Sequence, residues 1–443
     1  MAKRIAVIGA GAAGLASARW LLDAGFETVV FERTAAVGGL WRGDTGIAYP
    51  SLQTNTSKQK TAFSDLAFAA ELPDFPIRDD VVAYLERYAD VTGVRAIIRF
   101  GHDVQAVRPA PAATGGWTVD GEPFDAVVVA IGLFARPAEP AIPGRELFRG
   151  TVVHSRTYRD PAVFAGHDVV VVGAGSSGAD IAVELASVAR SVSISVRDMP
   201  MFSPRHYRGR PYDHRATRLV QRLPGWARAL ITRRVLAAEY RRRGHRLERL
   251  SPKRTPGMDL LEELDRGRIA LRPALAALDA TGAIFSDGSR IAADMIVLAT
   301  GYRAEFPFLP EGLPPRIGGA LALYRLVFPP GIANVAFAGL TRVSGPVFPV
   351  SELQARWIAA VFAGRAALPS EDIMRAEIEA RLAQARAAND DQMRVELLPY
   401  LDDIAGRIGA RPSLWRDPRL LTAPVSARDY LKKRAVVPKL RGP

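Results

Sequence analysis

Residues 148–180 read FRGTVVHSRTYRDPAVFAGHDVVVVGAGSSGAD. The second half opens with DVVVVG, a short β-rich apolar run ending at Gly173. Gly173-x-Gly175-x-x-Gly178 follows at the turn, and ADIAVELASVA after it has helical spacing. In such a turn the first glycine allows the tight bend and the second lets backbone approach a pyrophosphate. The third lets the helix pack on the strand. Unpaired N–H groups at the helix start then face the phosphate oxygens. SVSISVR supplies a second strand and ends at Arg197. The first half of the stretch carries Phe148-x-Gly150-x-x-x-His154-x-x-x-Tyr158, which ties this unit to another one upstream.

That upstream unit opens the chain. RIAVIG is its strand, Gly9-x-Gly11-x-x-Gly14 its turn, and AGAAGLASARWLLDAG its helix, with Gly25 as the stop. TVVFER is the second strand and carries Glu32, placed to accept hydrogen bonds from ribose hydroxyls. An acid there favours a free ribose, whereas Arg197 at the matching place in the second unit accommodates a 2′-phosphate. The first site is therefore expected to take FAD or NAD(H), and the second NADPH. Gly38-Gly39-Leu40-Trp41 suits close backbone approach to the first cofactor or a plain surface turn. The long polar loop YPSLQTNTSKQKTAFSD, residues 49–65, has the character of a functional loop, and its Asn55 can donate and accept at once.

Between the two units the pattern predicts a helix over 81–92, a strand over 97–107, and strands over 117–119 and 124–132. The run ARPAEPAIPGRELFRG, 135–150, is a linker or crossover signal. ADMIVLATGY, 293–302, repeats the strand-to-glycine pattern of DAVVVAIG, 125–132. The fold class is thus α/β with two Rossmann-like dinucleotide-binding domains, the NADPH domain inserted into the first, which becomes the FAD domain under the resemblance drawn below. The expected boundaries are 1–147 and 295–443 for the first domain, the latter with a C-terminal helical region, and 148–294 for the NADPH domain. Ser351-x-x-Gln354 reads as a capping box opening the helix ELQARWIAAVFAG. The chain reads as helical from about residue 370 and irregular from Pro412.

Charge and composition narrow the function classes. The chain of 443 residues contains no cysteine, which removes disulfides, thiolate metal sites and a redox-active Cys pair. Its six histidines show no metal-ligand spacing. The net charge of +13 is local: residues 200–254 hold sixteen Lys or Arg against three acids. RATRLVQRL and ARALITRRVLAAEYRRR make this a basic helical insert over about 200–260. It can cover a substrate entrance, rest on an anionic membrane surface or steer anionic NADPH. No nucleic-acid module accompanies the charge. No run approaches the ~18 apolar residues a membrane span needs, so a cytoplasmic protein is expected.

These motifs together resemble the flavin-containing monooxygenases, in particular animal-type members that oxygenate soft nitrogen and sulfur atoms. GAGAAGL and GGLW look like the FAD segments of that family, and LQTNTSKQKTAFSD resembles its loop between flavin and nicotinamide. FRGTVVHSRTY fits its fingerprint and VVVVGAGSSGADIAVE its NADPH loop. LATGYRAEFPFLP, FPVSELQARWIAAVFAGRAALPS and YLDDIAGRIGARPSLWRDPRL extend the likeness nearly to the end, and RGRPYDHRATRLVQRLPG resembles the insert near the family's substrate entrance. The resemblance implies that Gly9, Gly11, Ala13, Gly14, Glu32, Gly39, Leu40 and Trp41 hold FAD, with Val104 along its adenine and Asn55 and Thr56 near its isoalloxazine. It implies that Thr54 and Asn55 also meet NADP, with Gly173, Gly175, Ser176, Ser177, Gly178, Ala179, Asp180 and Arg197.

The implied cycle uses FAD, NADPH and O2: NADPH reduces the flavin, oxygen adds at flavin C4a, and NADP⁺ stays to shield the adduct. An amine or sulfide then takes the distal oxygen. Asn55 is the expected catalytic side chain, while His154 is expected to support structure. No metal is called for, and a homodimer is expected. Three alternatives remain open: a Baeyer–Villiger monooxygenase acting on ketones, an uncoupled NADPH oxidase, and a non-catalytic flavoprotein that binds FAD without turning over NADPH. Tyr158 at the fingerprint's last position fits this family, where the Baeyer–Villiger enzymes usually have Trp. The chain ends at KKRAVVPKLRGP without a hydrophobic anchor, so a soluble form is expected.

Overall fold

The computed structural model describes residues 2–45, 47–111, 116–247 and 254–431. The basic C-terminal tail, 432–443, lies outside the described residues. The chain divides into two compact units. The first comprises Met1–Thr45, Thr56–Ala135 and Ala304–Pro443; the second comprises Gly46–Asn55 and Arg136–Arg303.

The first unit is built on a five-stranded parallel sheet in the order Val335–Phe337, Ala126–Val129, Arg4–Ile8, Glu27–Glu32, Ile98–Phe100. Arg4–Ile8 is central, and its unbroken apolar run follows from burial on both faces. Successive side chains of a strand point to opposite faces. Ile5 and Val7 accordingly join one core with the Ala12–Asp23 and Val347–Phe362 helices, while Ala6 and Ile8 join a second. That second core is covered by a small antiparallel sheet, Val107–Pro109, Trp117–Val119 and Glu122–Phe124. Its hairpin turns at Asp120-Gly121, both with positive φ, which matches the right-handed strand twist.

The second unit repeats the plan. Its parallel sheet runs Ile269–Arg272, Ser191–Ser195, Asp168–Val172, Met295–Leu298, Thr151–His154. Val169 and Val171 face a core shared with the Ser176–Leu185 helix, and Val170 faces the core under a second three-stranded antiparallel sheet, Leu275–Asp279, Gly282–Phe285 and Arg290–Ala292. Within the basic insert, Arg218–Arg222 and Gly225–Arg242 are helical, and Met201–Ser203 pairs in parallel with Arg254–Pro256. Glu239, one of the insert's few acids, is buried and takes both Arg242 and Arg243.

Several elements differ from the sequence expectation. Met295–Leu298 lies between two strands of the second sheet, so the first unit resumes at Ala304 and not near residue 295. The second unit begins at Arg136 and also claims Gly46–Asn55. The run 97–107 is broken at Gly101, whose φ is +68°, and its ends join two different sheets. The run 124–132 is divided between Glu122–Phe124 and Ala126–Val129. Finally, the helix expected to open at Ser351 starts at Val347. Pro349 fits its first turn, where a missing N–H leaves no bond unmade. Ser351 and Gln354 are therefore buried helix-interior residues and form no cap.

Candidate functional site

In the first unit the phosphate turn is set by glycines that tolerate no side chain. A Cβ on Gly14 would stand 1.8 Å from the Gly9 carbonyl oxygen, and Gly9 itself has φ +104°. The Gly38-Gly39 turn closes over the same loop: Gly38 N–H donates to Ala10 O at 3.1 Å, and a Cβ on Gly39 would lie 2.8 Å from Gly11 Cα. Glu32, buried at the end of its strand, accepts from Ala10 N–H at 2.7 Å and from both the N–H and hydroxyl of Thr34 at 2.8 Å. A carboxylate has about four acceptor positions, so this leaves capacity for a hydroxyl donor. Leu40 and Trp41 complete the turn Gly39–Trp41, and Val104 is buried in the core that holds Phe31.

Two hydroxyls in this unit were missed by sequence reasoning. Thr341 Oγ1 and Ser351 Oγ belong to residues 2% and 1% exposed, and neither has a hydrogen-bond partner within the protein. Ser351 Oγ lies 3.8 Å from the Cβ that Gly339 would carry, and Ala13 Cβ stands 2.8 Å from that same point, at the start of the Ala12–Asp23 helix. Leaving a buried hydroxyl unmet costs about 1–3 kcal/mol. A polar group bound beside the helix start would meet that need. The glycine cradle, the carboxylate and the Ser351 hydroxyl thus fit a dinucleotide such as FAD.

The second unit repeats the cradle. Gly173 has φ +106°, and a Cβ on Gly178 would stand 1.9 Å from Gly173 O. Gly175 has open space around it, and Ser176 and Ser177 start the helix. Ala179 is buried in the core beneath. Arg197 is exposed, just past the Ser191–Ser195 strand. These groups fit a phosphorylated dinucleotide.

The fingerprint residues turn out to be structural. Phe148 is packed with Val170 and Ile296, and a Cβ on Gly150 would lie 2.3 Å from Asp294 O, where the neighbouring strand begins. His154 Nδ1 accepts from Arg156 N–H at 3.0 Å, so Nε2 carries the proton and donates to Gly301 O at 3.0 Å. Burial lowers the pKa of this imidazole, keeping it neutral. With both nitrogens engaged it holds the Gly301 turn. Tyr158, buried, donates to Glu184 at 2.8 Å.

Asn55 is exposed in the second unit, with Nδ2 3.4 Å from Ser176 Oγ, the outer limit of a hydrogen bond. Its neighbour Thr54 is 2% exposed with no partner for its hydroxyl, and its carbonyl accepts from Arg205 Nη1 at 2.9 Å. Thr56 belongs to the first unit, where its hydroxyl pairs with that of Thr61 at 2.8 Å. Asp180 accepts from the Tyr49 hydroxyl at 2.8 Å. Burial foremost raises the pKa of both groups, so the proton stays on the phenol. Neither Tyr49 nor Arg205 was singled out from the sequence. Among the described residues no cluster of His, Asp and Glu is arranged to hold a metal ion, and no helix is long and apolar enough to cross a membrane.

Comparison with known proteins places this geometry. A family profile described as flavin-binding monooxygenase-like matches residues 2–428. The N-oxide-forming dimethylaniline monooxygenase 2 of Oryctolagus cuniculus is 35% identical over 461 aligned positions, covering 95% of this chain and 86% of the relative. Among solved structures, the S-allyl-L-cysteine S-oxygenase of Allium sativum aligns over 95% of this chain and 91% of its own, with TM-score 0.70 and 28% identity. An open form of cyclohexanone monooxygenase aligns over 91% of this chain and 97% of its own with TM-score 0.69; at 20% identity it shows the fold alone.

Proposed function

The chain belongs to the flavin-binding monooxygenase-like family, and from that premise we propose how its residues serve an NADPH- and O2-dependent oxygenation of an amine nitrogen or a sulfide sulfur. The substrate class is supported by an N-oxide-forming relative and an S-oxygenating one. The observation that carries the reading is the pair of glycine cradles whose second strands lead to opposite charges, Glu32 and Arg197. The bound cofactors supply the redox chemistry, NADPH the electrons and FAD the activation of oxygen.

The protein positions and shields. In the first unit, backbone N–H groups from Gly9 to Gly14 would hold the flavin nucleotide's pyrophosphate, Glu32 would take a ribose hydroxyl, and Ser351 offers its unmet hydroxyl beside the helix start. In the second, Ser176 and Ser177 meet the NADPH pyrophosphate and Arg197 its 2′-phosphate. Asn55 is the catalytic side chain of this reading: its carboxamide can both donate to and accept from the cofactors that would meet there. His154 holds no proton in transit. At the surface, Trp226 is 73% and Leu230 43% exposed beside Arg233 and Arg234, which supports contact of the insert with an anionic membrane surface. Co-sedimentation with acidic vesicles at low salt tests that contact, and no binding there ends it.

The deciding experiment follows NADPH and oxygen consumption with a small tertiary amine or a thioether and identifies the product. N-oxide or sulfoxide in proportion to NADPH is expected. Hydrogen peroxide whatever substrate is offered would make the protein an oxidase, and ester from a ketone without amine or sulfide turnover would make it a Baeyer–Villiger enzyme. Asn55→Ala is expected to retain FAD while coupling falls roughly tenfold, or about 1.4 kcal/mol; full coupling in that variant removes Asn55 from the mechanism.

A further inference from the structure

The segment Gly46–Asn55 belongs to the second unit although the chain on both sides of it belongs to the first. On the far side, from Thr56 onward, the chain is tied independently: the Thr56 and Thr61 hydroxyls pair, and the buried Lys58 ammonium donates to the carbonyls of Ala69, Ala70 and Leu72. The segment itself is held by the packing of Tyr49 and Leu52 in the core of this unit, by Arg205 Nη1 donating to Thr54 O at 2.9 Å, and by a short series of further side-chain bonds. Tyr49 Oη donates to Asp180 Oδ2 at 2.8 Å and Ser51 Oγ to Glu184 Oε2 at 3.1 Å. Asp180 and Glu184 are one turn apart on the Ser176–Leu185 helix and so present one face. Tyr158 donates to the same Glu184 oxygen, and its ring meets Tyr49 edge-on at 6.0 Å.

A cavity of about 220 Å³ adjoins this contact, lined by Ser51, Gln53, Asp180, Glu184, Arg205 and Leu260. On that side packing is incomplete, and directional bonds add to the core packing of Tyr49 in fixing the segment's place. Tyr49 is the deepest of these anchors, and Asn55 lies six residues beyond it, next to Ser176.

We propose that Tyr49 and Asp180 form a latch that positions Asn55 over the second glycine cradle. Both are positioning residues: Asp180 acts on the nucleotide site through the loop it holds. The proposal rests on the reading of Asn55 as the catalytic side chain. It predicts that the latch governs how well reduced flavin is used, separately from how fast NADPH reduces it.

The test uses the FAD-loaded full chain as wild type, Tyr49→Phe, Asp180→Ala, their double variant and Asp180→Asn. Amide hydrogen exchange of residues 47–55, measured without NADPH, is expected to rise about tenfold in Tyr49→Phe and in Asp180→Ala. The double variant should add nothing further, because one bond is lost in each case. Asp180→Asn keeps an acceptor for the phenol and should restore protection. In Tyr49→Phe, anaerobic flavin reduction by NADPH should stay within about twofold of wild type, while the fraction of NADPH lost to hydrogen peroxide rises several-fold. Unchanged exchange in both single variants overturns the latch. Raised exchange with unchanged coupling overturns its positioning of Asn55, as does loss of reduction in step with coupling. A wild-type protein that gives no N-oxide or sulfoxide would count against the functional reading instead, since the exchange measurement involves no turnover.

Discussion

The two phosphate cradles of this chain are nearly superimposable in their backbone demands and opposite in their surroundings. Gly9 and Gly173 have φ +104° and +106°, and a Cβ on Gly14 or Gly178 would meet the opposite carbonyl oxygen at 1.8 or 1.9 Å. Beyond these turns the likeness ends. Gly11 is closed over by Gly39, whereas a Cβ on Gly175 would meet nothing within 4 Å. Glu32 is buried and bonded to its own loop, whereas Arg197 is exposed. The turn geometry is thus the part that any dinucleotide pyrophosphate requires. What differs lies a strand later, in one side chain and its environment, and it is there that we propose the nucleotide is chosen.

The largest effects should come from the glycines. Gly14→Ala and Gly178→Ala each force a side chain into a backbone carbonyl, which only a shift of the helix can relieve. Gly14→Ala should lose the flavin, read as the loss of the visible absorbance of a flavin chromophore. Gly178→Ala should keep the flavin and lose its reduction by NADPH. If both variants lost the same cofactor, the division of labour between the cradles would be wrong.

A second contrast lies in the buried carboxyls. Asp180 is met by a phenol, whereas Glu352 in the first unit is fully enclosed and accepts from Ser64 N–H at 2.8 Å and from the Ser64 hydroxyl. Burial, with the charge of Asp65 adding to it, pushes the Glu352 carboxyl up to about 7. Between the ordinary value of 4.5 and about 7 the folded state binds more protons than the unfolded chain, so stability falls as pH rises through that window. Glu352→Gln should remove that slope, a difference of about 2 kcal/mol between pH 5 and pH 8. Denaturant titration at the two pH values checks it; parallel losses in wild type and variant would place the slope elsewhere.

The smallest effect expected is at Arg197. Because it is exposed, its contact with a 2′-phosphate is screened, and Arg197→Ala should weaken NADPH roughly tenfold, or about 1.4 kcal/mol, with NADH little changed. Equal weakening of both nucleotides would remove Arg197 from the phosphate site and leave the discrimination to another residue.

Much of the plan was legible in the sequence because it is local. A strand, a glycine turn and a helix must follow one another within some thirty residues for a phosphate cradle to form, and both cradles do. From the residues alone Asn55 was legible only as a donor and acceptor in a long polar loop; the expectation that it is catalytic came with the family resemblance. What failed to show was membership. ADMIVLATGY has the same alternation whichever sheet receives it, and the neighbour that claims Met295–Leu298 is a strand more than a hundred residues away. Ser351 looked like a cap because Ser351-x-x-Gln354 has the spacing of a capping box. The helix begins earlier, and the hydroxyl is left buried and unmet beside the first cradle.

The sequence by itself determined the two glycine turns, the acid and the base at their matching strand ends, and the local excess of charge in the insert. Each depends on residues a few positions apart, where chain connectivity alone fixes the geometry. Tertiary structure alone decided which unit carries the loop with Asn55, since that rests on Tyr49 meeting Asp180 across 131 residues of chain. A hydrogen bond of that kind leaves no periodicity and no spacing to read. It exists only once two separately folded elements bring a phenol and a carboxylate together away from water, where each must find the other or remain unmet.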